Sequence, residues 1–339
     1  MSVKSHYISL LTLLLVFLLQ ATSCTRSAEP RYVQVQGEAL GTFVAVTCNT
    51  DRGEEDIMSM VRRVDAEAKA SMSIFDEGSL LSRINRGETD ELDEHIMRNI
   101  EISSRFTQLS GGAYDVTIKP LTEAYGFGGE QNGGVEPNID SLLQFVGFDL
   151  IVVEGGRLTR KDERVQLDFN SIAKGYTVDL VADELERMGV GDYLVNIGGE
   201  IRCKGENREG KEWRIAIETP YDGNMAMDSY EKVLPLSNCA LATSGNYRRF
   251  YYTEDGRKVA HTIDPRTGMS VVSELLSATV VAPTCAEADA AATMFMAMGS
   301  EGGALELARR CEEEYGWRYY FIYANGDEYR IECSKEFED

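Results

Sequence analysis

Asp289 and Thr293 stand four residues apart in the run Ala288-Asp289-Ala290-Ala291-Ala292-Thr293. On a helix this spacing puts a carboxylate and a hydroxyl on one face, about a turn from each other. Hard divalent cations take oxygen ligands of this kind. The intervening alanines allow close approach. Taken alone, the same residues read first as the buried N-terminal turn of a helix. A second set lies where an extended segment meets a helix. Asp168 puts a carboxylate just before that helix, Ser171 an oxygen at its mouth, and Lys174 a cation in its first turn. A cation there opposes the helix dipole, which implies an anion nearby. The plainer reading is a capped helix whose Lys lays its stem along the surface. The third feature is His261. Of three histidines, His6 falls in an apolar leader and His95 on a polar helix start. His261 is therefore the imidazole available for proton transfer, or for holding a loop by hydrogen bonds.

The elements that must position these groups are legible. Val165 to Phe169 are extended, and Asn170 or Ser171 is expected to cap a helix. Ile172, Tyr176, Leu180, Leu185 and Met188 recur at helical spacing. Gly189 ends that helix, Tyr193 to Ile197 form a strand, Gly198-Gly199 breaks it, and Glu200 to Cys203 resume. Ser277 to Ala282 form a strand. Thr284-Cys285-Ala286-Glu287 is a capping box opening the helix of Asp289. His261 closes a strand that returns from a turn at Asp255-Gly256. Elsewhere Tyr32 to Cys48 alternates as strands do. Ile57 to Ala68 and Ile96 to Leu109 read as amphipathic helices, the second ended by Gly111-Gly112. Gly126 to Asn138 is a Gly-rich loop, and Val146 to Thr159 a hairpin. Trp213 to Glu218 is a strand, Ala304 to Cys311 a helix, and Trp317 to Cys333 a last hairpin. Hairpins mixed with helices predict an α+β fold. It is one large domain with a mixed or antiparallel sheet core, packed helices and a helical subdomain from the first half.

Composition narrows the partners. The 339 residues carry a net charge of −22, which repels nucleic acid and excludes it as a partner. A phosphate ligand stays possible, because a metal ion and local amides can override the global field. Tyr7 to Leu19 is almost wholly apolar and follows Lys4. It is too short to span a bilayer and fits the core of a signal peptide over residues 1–23. Ala21-Thr22-Ser23-Cys24 resembles a bacterial lipoprotein cleavage site. The expectation is an exported chain anchored through a lipid on Cys24, at the periplasmic side of the inner membrane, with residues 24–30 as tether and 31–339 as the domain. The other six cysteines lie in no C-x-x-C or Cys/His pattern, so a zinc site is not expected. Their wide spacing gives no disulfide framework, and they read as buried small hydrophobes. The chain contains no G-x-G-x-x-G, Walker or H-E-x-x-H motif.

The run Asp168-Phe169-Asn170-Ser171-Ile172-Ala173-Lys174-Gly175-Tyr176, followed by Asn196-Ile197-Gly198-Gly199-Glu200, resembles the ApbE family, the FAD:protein FMN transferases. Four further blocks fit in order: Ala39 to Phe43, Met72 to Asn85, Ala113 to Leu121, and His261-Thr262-Ile263-Asp264-Pro265-Arg266-Thr267-Gly268. The Asp289/Thr293 pattern closes the series. The resemblance implies an ApbE-like fold and Mg²⁺-dependent transfer of FMN from FAD to a Ser or Thr hydroxyl of an acceptor redox protein, with release of AMP. It implies Mg²⁺ held by Asp289, Thr293 and Ser171. Leu40, Phe75, Ala113, Tyr114, Asp115, Asp168 and Ile263 would seat FAD, and Lys174 would neutralise phosphate charge. His261 or Asp264 would help deprotonate the acceptor hydroxyl, a choice the residues leave open. For Phe75 a core plug, and for Asp115 a turn carboxylate, are the alternatives. Two other functions use the same residues: an FAD pyrophosphatase giving FMN and AMP, or a non-catalytic flavin-carrying lipoprotein.

Overall fold

The computed structural model describes residues 31–128, 138–221, 229–247, 249–326 and 328–338. The leader with Cys24 and most of the Gly-rich loop expected at 126–138 lie outside the described residues. The described residues from Tyr32 onward form one compact unit, and among the described residues no helix is long and apolar enough to cross a membrane.

Strands β1 (Tyr32–Ala39) and β2 (Thr42–Asn49) pair antiparallel. Leu40 (φ 50°) and Gly41 (φ 72°) turn the chain between them, so both central residues are left-handed, as a tight hairpin requires. A Leu rarely adopts this conformation. Its N–H is held by the Asp65 carboxylate at 2.7 Å. Five helices follow: α1 (Glu54–Met72), α2 (Leu80–Asn85), α3 (Glu94–Leu109), α4 (Lys119–Ala124) and α5 (Ile139–Leu142). The apolar residues predicted for α1, Ile57, Met60, Val61, Val64 and Ala68, are all buried, and Ser71 and Met72 extend the buried face. Asp93 caps α3 by accepting from the Ile96 N–H. Next come the hairpin β3 (Ile151–Glu154) and β4 (Arg157–Arg160), helix α6 (Ala173–Arg187), and strands β5 (Tyr193–Ile197) and β6 (Glu200–Lys204). The hairpin β7 (Trp213–Glu218) and β8 (Tyr230–Leu236) leads to β9 (Cys239–Gly245). Two small ribbons, β10 (Phe250–Tyr252) with β11 (Lys258–Ala260) and β12 (Ile263–Asp264) with β13 (Met269–Ser270), precede β14 (Leu275–Ala282). Helices α7 (Cys285–Met298) and α8 (Ala304–Tyr315) and the hairpin β15 (Arg318–Asn325) and β16 (Glu328–Cys333) finish the chain.

Eight strands make one sheet in the order β1-β2-β5-β6-β9-β14-β15-β16, and every neighbouring pair is antiparallel. The period-2 side-chain pattern sorts its two faces. Tyr319 and Phe321 of β15 join the core with α7 and α8, while Tyr320 and Ile322 join Trp213, Ile215 and Leu234 of the β7–β8 hairpin. Helix α7 is buried nearly all round, as its alanine-rich, apolar sequence demands.

The start of α6 departs from expectation. Neither Asn170 nor Ser171 caps it. The flanking residue is Ile172, with no side-chain cap. The segment 165–169 is no ladder strand but makes a single parallel bridge, Ile118 with Gln166. The orphan N–H groups of the first turn still need acceptors, and a distant helix provides one. Asp289 Oδ2 accepts from the Gly175 N–H at 3.0 Å. Helix α6 returns the arrangement, since both oxygens of Asp179 accept from the Cys285 and Ala286 N–H groups at 2.9 Å. Each helix thus caps the other. Burial pushes the Asp179 carboxyl up to about 6, opposed by the charge of Arg202, whose Nη1 lies at 3.1 Å. The capping box at Thr284 is half formed. Its hydroxyl accepts from the Glu287 N–H at 3.3 Å, but the Glu287 carboxylate pairs with Arg105 instead.

Candidate active site

The mutual capping brings the polar residues of two distant segments to one place. Asp289 is buried, and burial pushes its carboxyl up to about 7. The Glu200 carboxylate adds to that rise, while Lys174 and the Gly175 N–H oppose it. Lys174 Nζ donates to Glu200 Oε1 at 2.5 Å. Glu200 is itself buried, and its Oε2 has no hydrogen-bond partner among the described residues. An unpaired oxygen on a buried charge is costly and marks a place where a cation or a donor is wanted. Thr293, one turn along α7, meets Ser244 of β9 with the hydroxyl oxygens 3.1 Å apart.

Ser171 reaches this cluster through Tyr114. Its hydroxyl donates to the Tyr114 oxygen at 2.9 Å. The Tyr114 phenol is raised by burial and feels the Asp289 charge. Asp289 and Thr293 thus stand a turn apart on α7, Asp289 in the fields of Glu200 and Lys174, and Ser171 bonds the phenol that feels the Asp289 charge; the oxygens of Asp289, Thr293, Ser171 and Glu200 are the candidate donor set. This donor set is hard oxygen throughout. Its two buried carboxylates lie in each other's field with Lys174 bonded to one of them. Residues of this kind fit a divalent cation such as Mg²⁺.

His261 is half-buried in the field of Lys174. Its backbone N–H and ring Nδ1 both approach the Arg249 carbonyl, at 3.1 and 3.2 Å. A carbonyl only accepts, so Nδ1 carries the proton and Nε2 offers its lone pair. Burial pushes the imidazole down to about 4, and the charges of Arg249 and Lys174 add to the shift. Asp264 differs. Both of its oxygens accept from Arg266, whose Nε and Nη2 lie at 3.0 and 2.8 Å, and it also takes the Arg266 N–H. It fixes the turn after β12. Asp168, buried before α6, accepts from the Asn170 N–H at 2.8 Å and the Thr122 hydroxyl at 3.0 Å. Burial raises its carboxyl against the pull of Lys119 and Arg249. Arg249 thus touches the fields of both Asp168 and His261.

The remaining predicted residues divide. Phe75 is no core plug: it is 59% exposed on a turn in which Ser73 accepts from its N–H. Leu40 packs half-buried at the edge of the main core. Ala113, Tyr114 and Ile263 are buried. Asp115 behaves as the turn carboxylate. It takes the Thr117 N–H and hydroxyl on Oδ1 and the Phe148 N–H, at 2.7 Å, on Oδ2, and so anchors the chain at 147–148. Glu200, Arg249 and Gly175 carry geometry that the sequence reading left unassigned. A glycine in the first turn of a helix is a flag for close packing. For Glu200 the one signal is its place at the end of Asn196-Ile197-Gly198-Gly199-Glu200, and for Arg249 the sequence offers none.

A model of the ApbE family matches residues 40–316. The chain is 35% identical over 298 residues to an FAD:protein FMN transferase of Vibrio cholerae, covering 85% of this chain and 87% of that one. It is 31% identical over 316 residues to an FAD:protein FMN transferase of Escherichia coli K12, covering 89% and 87%. Among solved structures, the flavin transferase ApbE from Vibrio cholerae superposes with a TM-score of 0.80 at 30% identity, over 91% of this chain and 98% of that one. The ApbE protein from Thermotoga maritima superposes with a TM-score of 0.79 at 26% identity, over 91% and 98%.

Proposed function

This chain belongs to the ApbE family, and we propose that it is an FAD:protein FMN transferase that moves FMN onto a Ser or Thr hydroxyl of an acceptor redox protein, releasing AMP at a Mg²⁺ site. One observation carries the site assignment. Asp289, buried and pushed up to about 7, shares its surroundings with the unpaired Glu200 oxygen, Lys174 and the Ser171–Tyr114 pair. A divalent ion held by Asp289, Thr293 and Ser171 would supply charge stabilisation for the pyrophosphate and the leaving AMP. Lys174 adds positive charge at the mouth of α6. Asp168, Leu40, Phe75, Ala113, Tyr114, Asp115 and Ile263 stand as the FAD-seating set, with Phe75 the one that presents an open ring and Asp115 acting through the loop it holds. His261 is the better base of the two candidates. Its Nε2 is an acceptor at neutral pH, whereas Asp264 is tied to Arg266.

The deciding measurement is incubation with FAD and Mg²⁺, with and without an acceptor protein, reading acceptor mass and AMP. FMN is expected on the acceptor, with AMP rising in step. AMP release indifferent to the acceptor would make the chain a pyrophosphatase, and FAD that stays bound and whole would make it a carrier. His261 has its own test. With Mg²⁺ in saturating excess, which would keep Asp289 ionised, transfer is expected to stay level from pH 8 to 6 and to fall as the imidazole protonates, toward pH 4. His261→Ala should slow transfer by about 10²-fold and remove that acid limb. His261→Gln keeps a donor for the Arg249 carbonyl, so full rescue by Gln would reduce His261 to a loop holder. Export and the Cys24 anchor belong to the same proposal, supported by the residue pattern of the leader. Cys24→Ala should shift the protein from the membrane to the soluble fraction.

A further inference from the structure

Strands β6 and β9 join the two halves of the large sheet through three residue pairs, Ile201 with Leu241, Arg202 with Ala240, and Cys203 with Cys239. Cys203 and Cys239 stand directly opposite each other. Directly opposed residues of an antiparallel ladder have Cα atoms about 4.5–5.5 Å apart, inside the span a disulfide bridges. Both side chains fall on the face covered by the β7–β8 hairpin, and both are free thiols. Arg318 Nη2 donates to Cys239 Sγ at 3.8 Å. Among the described strands no other cysteines face each other in register.

We propose that Cys203 and Cys239 form a disulfide across the β6–β9 joint, made by exchange with an oxidising disulfide. Cys239 is 8% exposed and Cys203 2%, which sets the order of events. The Cys239 thiol is held below its ordinary value, first by the neighbouring Cys203 thiol and then by the Arg318 charge, against the effect of burial. Its thiolate attacks one sulfur of the incoming disulfide and expels a thiolate leaving group. Cys203 then loses its proton, attacks Cys239 Sγ and expels the second thiol. Two protein thiols are oxidised, one external disulfide is reduced to two thiols, and no further reactant is needed. The position gives the bond a consequence. Strand β6 begins at Glu200, and β9 carries the Ser244 that meets Thr293. The linkage thus ties together the two strands that reach the candidate site from the sheet.

The test uses the whole chain, reduced, then equilibrated in glutathione buffers of increasing oxidation, denatured, alkylated and mapped by mass. Oxidised protein is expected to lose two alkylation sites, with the peptides of Cys203 and Cys239 joined. Its melting temperature should rise by about 5 °C and fall back on reduction. Cys203→Ser and Cys239→Ser should each abolish both changes, and Cys333→Ser should leave them. Recovery of Cys203 and Cys239 as alkylated thiols from fully oxidised buffer overturns the proposal. So does a disulfide joining either residue to a different cysteine.

Discussion

Asp289→Asn is expected to cut FMN transfer by about 10²- to 10⁴-fold while leaving the protein folded. The two effects separate because the carboxylate has two roles. Its Oδ2 accepts from the Gly175 N–H, and an asparagine oxygen can do the same. Only the negative charge is lost, which is what a divalent ion needs from this residue. Stability should move the other way from activity. An acid whose folded value is raised from 3.8 to about 7 costs the folded state most above pH 7, and progressively less as pH falls toward its unfolded value. Without divalent ion, the Asn variant should therefore melt at or above the wild type at pH 8, with a smaller difference at pH 5. Added Mg²⁺ should raise the wild-type melting temperature and leave that of the variant unmoved. A variant that transfers FMN at the wild-type rate in Mg²⁺ would sink the metal assignment.

Gly175→Ala should destabilise the protein by about 1–3 kcal/mol and depress transfer with it. Helix propensity argues the opposite, since Ala in a helix interior is worth about 0.5–1 kcal/mol over Gly. Packing decides the sign. A Cβ at 175 would lie 2.3 Å from the Cys285 carbonyl oxygen, 2.7 Å from its carbon and 2.8 Å from Asp289 Cβ. The first two are backbone atoms at the start of α7 and cannot swing aside. The helices must separate, which stretches the Gly175–Asp289 bond and the two Asp179 bonds together. A lower urea midpoint with an unchanged slope, alongside slower transfer, is the expected pattern. An Ala variant as stable as the wild type would show that the helices do not touch here.

Elements held together within their own segment were read from the chain with little error. Tyr193 to Ile197 and Trp213 to Glu218 were bounded to the residue, because alternation and flanking turns act over a few residues. The helix of Asp289 starts where Thr284 predicts. The resemblance placed the chain in its family and singled out Asp289, Thr293, Ser171 and His261. The capping of α6 could not be read. The nearby candidates Asn170 and Ser171 do not serve, and the acceptor comes from 114 residues away. Glu287 was expected to complete a local box, yet its carboxylate went to Arg105, 182 residues earlier. Cys203 and Cys239 look unrelated in sequence and become partners only through strand register.

Residue type and spacing by themselves determined which segments become helices and strands and which side chains carry oxygen, imidazole or thiol chemistry. Tertiary structure alone decided which oxygens stay available. It tied Asp115 and Asp264 into turns, left Glu200 with an oxygen unpaired among the described residues and set Asp289 against Gly175. The reason is physical. A local pattern reports forces that act within a few residues, whereas the charge state and free valence of a buried group depend on whatever the fold packs beside it.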